Sequence, residues 1–171
     1  NMFNNAPAFN QNINSWNVSK VDNMSSMFSN TLAFNQPLSG WNTSACTTMS
    51  NMFNGATVFN QPLSGWDTSR VTNMSTMFTS ASLFNNGLAP GVSGPLNFDT
   101  REVINMSSMF NNTTAFNAAT GQINLNGANG NYIAWNTDGI APPSFISLTN
   151  STTRSVGTKL VIYPEASETS V

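Results

Sequence analysis

The large apolar side chains of this chain return at a fixed spacing. Two phenylalanine positions, six residues apart, recur three times at intervals of 25 residues and then once after 32. One tryptophan position and two methionine positions follow the same steps, and FNQPLSGW is identical at 34–41 and 59–66. The members are Phe3, Phe28, Phe53, Phe78 and Phe110; Phe9, Phe34, Phe59, Phe84 and Phe116; Trp16, Trp41 and Trp66, then Phe98; Met24, Met49, Met74 and Met106; and Met2, Met27, Met52, Met77 and Met109. Such a period predicts stacked repeats with one periodic core.

The segment SRVTNMSTMFTSASLF shows the pattern inside one repeat. Its apolar residues follow each other at steps of 3, 3, 1, 3 and 3: Val71, Met74, Met77, Phe78, Ala81 and Phe84. This spacing predicts one face of a helix over 71–84, with Thr68 or Ser69 as its N-cap. The preceding stretch FNQPLSGWDT contains proline and glycine and predicts a tight turn and a short strand, which includes Leu63 and Trp66.

The predicted fold class is an α/β solenoid whose coils of about 25 residues each contain one short helix and one short parallel strand. Residues 1–117 form the solenoid, with coils restarting near 23, 48, 73 and 105. Residues 118–147 are a long insertion and a degenerate capping coil, in which WNTDGI at 135–140 matches WNTSAC at 41–46. Residues 148–171 are an irregular segment with a β-strand and a polar tail. Since NMF at 1–3 corresponds to the middle of a predicted helix, we expect the chain to be a fragment of a longer protein.

An asparagine follows the second phenylalanine of every repeat: Asn10, Asn35, Asn60, Asn85 and Asn117. The amide side chain both donates and accepts hydrogen bonds, so an inward asparagine can serve backbone groups that lack a partner in their own coil. The column therefore predicts a structural ladder, and a ligand-binding role is the less favoured alternative.

Two interruptions of the repeat are candidate contact regions, because loops on rigid scaffolds often carry recognition. The first is the insertion NGLAPGVSG at 86–94, and the second is the segment 118–134. The candidate contact residues are Asn86, Leu88, Pro90, Val92, Asn126, Asn129, Asn131 and Tyr132.

Charge is scarce in this chain, which has 171 residues but only 5 basic and 7 acidic side chains and no histidine. The lack of a basic patch argues against nucleic-acid binding, and the lack of histidine removes the commonest general base and metal ligand. No apolar run is long enough for a membrane-spanning helix. We therefore expect no enzyme activity, no cofactor, no metal and no membrane insertion by this segment.

The remaining reactive groups have structural interpretations. Cys46, the single cysteine, occupies the column of Val21, Val71 and Val103, and we interpret it as a buried small hydrophobe. Asp67 and Asp99 share a column with Asn17 and Asn42, which favours a solvated polar stripe over a catalytic pair or a calcium site. Asn-x-Ser/Thr sequences recur as part of the repeat, so whether any is glycosylated stays open.

The unit FNQPLSGWDTSRVTNMSTMF closely resembles the repeat of BspA-like bacterial surface proteins over residues 1 to about 117, with a degraded match to about 147. The resemblance implies a leucine-rich-repeat-like fold, display on a cell surface and a role in adhesion, and it brings no catalytic residues. The stretch SVGTKLVIYPE is weakly similar to segments of virion structural or fibre proteins of tailed phages.

We therefore expect a non-enzymatic, surface-displayed repeat protein that is a rigid scaffold for adhesion or recognition. Its partner would be a protein or glycan on a cell surface. The alternative is a virion structural, decoration or fibre component whose partners are neighbouring virion subunits. Either function implies an extracellular location, on a cell surface or a virion surface. An ice-binding or glycan-binding array ranks third, because the Thr column is interrupted by Val18.

Overall fold

The computed structural model describes residues 1–89 and 96–115. These residues contain no helix and no extended strand. Their β pairing is limited to isolated bridges, among them a parallel series that joins Asn23 to Thr48, Thr48 to Asn73 and Asn73 to Asn105. The predicted α/β solenoid, leucine-rich-repeat-like with a helix and a strand in each coil, is therefore wrong.

Each repeat is instead a succession of four-residue turns, in which the amide of the fourth residue donates to the carbonyl of the first. In one central repeat these turns are Leu38–Trp41, Thr43–Cys46, Met49–Met52, Phe53–Ala56 and Ala56–Phe59, with N···O distances of 2.8–3.2 Å. The first and last residue of these five turns are buried, whereas none of their middle residues is. A sixth turn, Asn51–Asn54, closes at 3.2 Å and has the two buried residues, Met52 and Phe53, in its middle. The apolar step of three is thus the length of a turn, and not the spacing along a helix face.

Left-handed backbone at two points of each repeat prevents a helix over 71–84. Thr76 has φ 54° and Ser80 has φ 58°. Equivalent residues in the other repeats also have positive φ: Ser26, Asn51 and Ser108 at the first point, and Asn5, Asn30, Gly55 and Asn112 at the second. A residue in this conformation interrupts a right-handed helix, and it is what the third position of a type II turn requires.

Backbone amides that do not close a turn donate hydrogen bonds to the next repeat. The amides of Met24, Ser26, Phe28 and Asn30 donate to carbonyls of the next repeat at 2.7–3.0 Å. The intervening amides of Met27 and Ser29 close turns within their own repeat, and the amide of Ser25 donates to the side chain of Asn23. Every amide from 24 to 30 therefore has a partner without a helix or a sheet, as burial of the backbone demands.

The core between the turns consists of stacked rings, and it confirms the predicted periodic core. Phe28, Phe53 and Phe78 are fully buried, and their ring centroids lie 5.5 and 5.6 Å apart along the stack. The second phenylalanine column is parallel to the first, with Phe59 only 4.1 Å from Phe53. Methionine, leucine, tryptophan and smaller apolar side chains, Cys46 among them, fill the rest of the core.

The predicted insertion and capping coil at 118–147 and the predicted strand segment at 148–171 lie outside the described residues.

Candidate recognition loop and polar surface

The predicted contact loop begins with a segment that is fixed to the preceding repeat. Asn60 Oδ1 accepts hydrogen bonds from the Asn85 amide at 2.8 Å and from the Gly87 amide at 2.9 Å. The Asn60 Nδ2 group donates to the Leu88 carbonyl at 3.0 Å. One asparagine of the repeat therefore sets the direction in which the chain leaves the stack at residues 85–88.

Asn86 belongs to this anchor and not to the exposed part of the loop. Its side chain is 7% exposed, and its Oδ1 atom accepts a hydrogen bond from the Leu63 amide at 2.8 Å. Gly87 follows with φ 79°, and a Cβ atom there would lie 2.8 Å from Pro62 Cδ. Asn86 and Gly87 thus form a tight turn that only a small left-handed residue permits.

The other candidate contact residues divide into one that the structure describes and six that it does not. Leu88 is half-buried, beside the exposed Ala89. Pro90, Val92, Asn126, Asn129, Asn131 and Tyr132 lie outside the described residues. The contact role of both regions stays a prediction.

The asparagine column makes hydrogen bonds that run from repeat to repeat. Asn10 Oδ1 accepts from the Asn35 amide at 3.0 Å, and Asn35 Oδ1 accepts from the Asn60 amide at 2.9 Å. Asn60 continues the series with Asn85. Asn10 and Asn35 are exposed, Asn60 is half-buried and Asn85 is 3% exposed, so the column does not point uniformly inward as we expected. Asn117 lies outside the described residues.

A second polar column closes small turns with its own neighbours. Asn17, Asn42, Asp67 and Asp99 each accept a hydrogen bond from the backbone amide two residues later, at 3.0–3.1 Å. The Asp67 carboxylate also accepts from the Ser69 hydroxyl at 2.7 Å, and these bonds lower its pKa. Such turns are common for Asx residues.

Asp99 differs from Asp67 because it forms an ion pair with Arg101. The Arg101 Nε group donates to the Asp99 carboxylate at 2.9 Å, and this contact lowers the pKa of Asp99. Both carboxylates are thus held in the ionised form by residues two positions along the chain. Neither has the raised pKa of a general acid.

The remaining candidate groups are part of the core. Cys46 is 1% exposed, which confirms the buried small hydrophobe, and burial raises the pKa of its thiol. Trp41 and Trp66 are 3% and 4% exposed, and each indole donates to a carbonyl of the preceding repeat, Ile13 and Leu38 respectively. These two rings therefore cannot form a platform for sugar stacking.

Residues 1–89 and 96–115 contain no metal-binding cluster. No group of three or more acidic, cysteine or histidine side chains is placed to hold a metal ion among them. The same residues contain no helix of the length and apolar character that crossing a membrane requires.

The anchoring roles of Asn60 and Asn86 are not predicted from the sequence. The repeat predicts Asn60 as a ladder residue, but its second bond, to the loop, depends on where the chain turns after Phe84. The available signal was the Asn-Asn-Gly sequence at 85–87, because asparagine and glycine are the residues that most readily adopt positive φ.

The geometry defines a class of repeat protein in which turns, and not helices or strands, are stacked in register about an aromatic core. Residues 1–91 and 38–132 match the family described as "Mycoplasma protein of unknown function, DUF285", and the chain belongs to this family. It is a repeat family related to the BspA-like surface repeats. No curated protein matches the chain, and no solved structure matches it.

Proposed function

We propose that this chain is a non-enzymatic repeat protein that is displayed on a surface, where it is a scaffold for adhesion or recognition. The observation that carries the proposal is how the repeats use their polar side chains. Asparagine, serine and threonine of each repeat bind the chain's own backbone, as in the ladder of Asn10, Asn35 and Asn60.

Such a surface differs from the usual lining of a catalytic site. The polar groups are periodic, so each chemical environment occurs several times along the stack, whereas a catalytic site needs its groups once. The relation of the family to BspA-like surface repeats supports display outside the cell. Nothing in the described residues favours the virion component that was the alternative.

The loop that starts at Asn85–Leu88 is the proposed contact region. Its first residues, 85–88, are fixed by Asn60 and by the Leu63 amide. Residues that are ordered before binding lose less conformational entropy when a partner binds. The partner class that fits an uncharged polar surface is a protein or glycan on a cell surface.

The test uses the full chain, fluorescently labelled, on cultured epithelial cells. In one variant residues 88–94 are replaced by Gly and Ser of equal length, which keeps the anchoring Asn86 and Gly87. We expect this variant to lose at least about tenfold in apparent affinity, since most binding energy is concentrated in few residues. The matched control is Leu32→Ser, which removes a 49% exposed side chain from a different repeat.

Two results would contradict the proposal at different levels. If the loop variant binds as well as the unaltered chain, the contact region is elsewhere. If antibodies against the chain label cells of the source organism only after permeabilisation, the protein is not displayed on that surface and the proposal of a surface scaffold is rejected.

A further inference from the structure

One surface turn recurs with the same hydrogen bonds in the first two repeats. Its asparagine is Asn17 or Asn42, and a serine follows two residues later, Ser19 or Ser44. The serine amide donates to the asparagine Oδ1 atom at 3.1 Å, and the serine hydroxyl donates to the same atom at 2.7 Å. Both asparagines are exposed, and no residue in 1–89 or 96–115 accepts a hydrogen bond from either Nδ2 group. The folded stack therefore leaves room for a substituent on these two nitrogen atoms.

These two turns are also Asn-x-Ser sequences, the acceptor sequence of N-linked glycans in secreted proteins. The middle residues, Val18 and Thr43, are 4% and 1% exposed in the stack, so an enzyme cannot enclose the three residues after the repeats have stacked. The turn itself needs only three consecutive residues and forms locally in an unfolded chain. Transfer of a glycan would therefore precede stacking, and the exposed asparagine accommodates the product afterwards.

The Asn-Met-Ser sequences at 23, 73 and 105 are explained by pairing between repeats. Asn23 is joined to Thr48 by a parallel bridge, and the Ser25 hydroxyl is hydrogen-bonded to the Thr48 hydroxyl at 3.1 Å. The side chains of Asn17 and Asn42, by contrast, bind only the serine of their own turn among the described residues. Contacts between repeats therefore do not account for the Asn-x-Ser sequence at these two positions.

The distribution of charge is a second observation that favours a hydrophilic substituent at these positions. Residues 1–66 contain two charged side chains, Lys20 and Asp22, whereas residues 67–102 contain five. In the two charged repeats the equivalent position is a carboxylate, Asp67 or Asp99, which accepts from the same backbone amide but has no amide nitrogen. Exposed charge and surface glycans both keep a protein soluble. The repeats with few charges are thus the ones that have an acceptor asparagine.

We propose that Asn17 and Asn42 are acceptors for N-linked glycans. The co-substrate is an oligosaccharide whose anomeric carbon is bonded to the diphosphate of a lipid carrier. The bond between this carbon and the phosphate oxygen breaks, the asparagine Nδ2 atom forms a bond to the carbon and loses one proton, and the lipid diphosphate leaves. The inference rests on the proposed display on a surface, because this modification is typical of secreted chains.

The test is glycopeptide mass spectrometry on the full chain purified from its source organism. We expect the peptides that contain Asn17 and Asn42 to carry an added oligosaccharide. Peptide N-glycosidase in heavy-oxygen water should remove it and leave labelled aspartate at these two positions. The internal control is Asn35, which is exposed but is followed by Gln36 and Pro37, so it should stay unmodified.

Three variants expressed in the source organism test the acceptor turn at one of the two positions. Asn42→Asp removes the amide nitrogen and keeps the turn, as Asp67 does with bonds of 3.0 and 2.7 Å to Ser69. Ser44→Ala removes the hydroxyl, and Ser44→Thr keeps it. We expect the first two variants to lose the glycan at position 42 and to retain the glycan on Asn17. Ser44→Thr should retain both.

The outcomes separate this inference from the proposed function. A chain that antibodies detect on intact cells but that is unmodified at Asn17 and Asn42 would overturn the inference and leave the surface scaffold standing. A chain that is glycosylated but detected only after permeabilisation would support the inference and reject display on the surface. A glycan that Ser44→Ala leaves in place on Asn42 would also overturn the inference, because the Asn-x-Ser turn would then not direct the transfer.

Discussion

The first repeat and the central repeats have the same core sequence but very different burial. Met2 is 67% exposed, whereas Met27 is 8% exposed and Met52 and Met77 are fully buried. Trp16 is 41% exposed, whereas Trp41 is 3% exposed. The difference shows that the neighbours on both sides bury the core of a repeat, and that a repeat cannot bury its own face.

The contacts between the stacked rings also depend on the position of the repeat in the stack. Phe53 lies between Phe28 and Phe78 at centroid distances of 5.5 and 5.6 Å. Phe3 is in the same column but has a ring of another repeat on one side only, Phe28 at 5.6 Å, besides Phe9 and Trp16 of its own repeat. Apolar stabilisation should therefore increase from the end of the stack toward its centre.

The largest expected effect is that of truncating the central ring. Phe53→Ala should lower the free energy of unfolding by about 3–5 kcal/mol, since it removes a fully buried ring and leaves a cavity. Phe3→Ala should cost about half of this or less, because the ring is only partly buried. Chemical denaturation of the full chain, followed by tryptophan fluorescence, measures both. Equal losses for the two variants would mean that burial does not depend on position in the stack.

The stability contribution of the asparagine ladder should not increase toward the centre of the stack. The side-chain oxygen of each ladder residue accepts hydrogen bonds only from the following repeat. Asn10 and Asn35 each accept from one backbone amide and one glutamine side chain of that repeat. Replacing either with alanine should cost a similar amount, about 0.5–1.5 kcal/mol, the net value of an intramolecular hydrogen bond.

The conservative control at the ladder is Asn35→Asp, which keeps the accepting oxygen and should be close to neutral at pH 7. Denaturation midpoints of Asn10→Ala, Asn35→Ala and Asn35→Asp measure whether the loss of stability is the same at the two positions. A much larger cost for Asn35→Ala than for Asn10→Ala would show that the ladder is cooperative along the stack.

The periodic core could be predicted from the sequence, because the position of each ring is determined by the repeat length. The secondary structure could not. Steps of 3, 3, 1, 3 and 3 at Val71–Phe84 fit both a helix face and a chain of turns. The deciding property is the left-handed backbone at Thr76 and Ser80, where neither residue type favours it, although five equivalent positions of the other repeats have asparagine or glycine, which do. Inter-repeat hydrogen bonds stabilise it, and these depend on the three-dimensional stack.

The candidate loop was only partly predictable for a related reason. The insertion after Phe84 was visible as a break in the period, but the burial of Asn86 was not. Its Oδ1 atom accepts a hydrogen bond from the Leu63 amide in the preceding repeat, a partner 23 residues away. Local sequence gives the turn at Asn86-Gly87, but it does not give the contact that fixes the turn.

The smallest expected effect concerns the second polar column. This column has a carboxylate at Asp67 and Asp99, whereas Asn17 and Asn42 at the equivalent positions are uncharged. The pKa of Asp67 is lowered by its bonds to Ser69, so the ionised form is favoured in the folded state. This stabilisation is complete above the unfolded pKa of about 3.9 and is lost as the pH falls through the lower, folded pKa. Because Asp67 is exposed, solvent screening limits the contribution to below about 1 kcal/mol.

Asp67→Asn is the matched variant, because Asn42 makes the same two bonds to Ser44 at the equivalent position, 3.1 Å to the amide and 2.7 Å to the hydroxyl. The variant should keep the turn and weaken the acid-induced loss of stability below about pH 4, where protonation of the carboxylate competes with the turn. Denaturation midpoints at pH 7 and pH 3 measure the difference. If the variant loses as much stability on acidification as the unaltered chain, the pH dependence comes from other carboxylates, of which Asp99, bound to Arg101, is the first to replace.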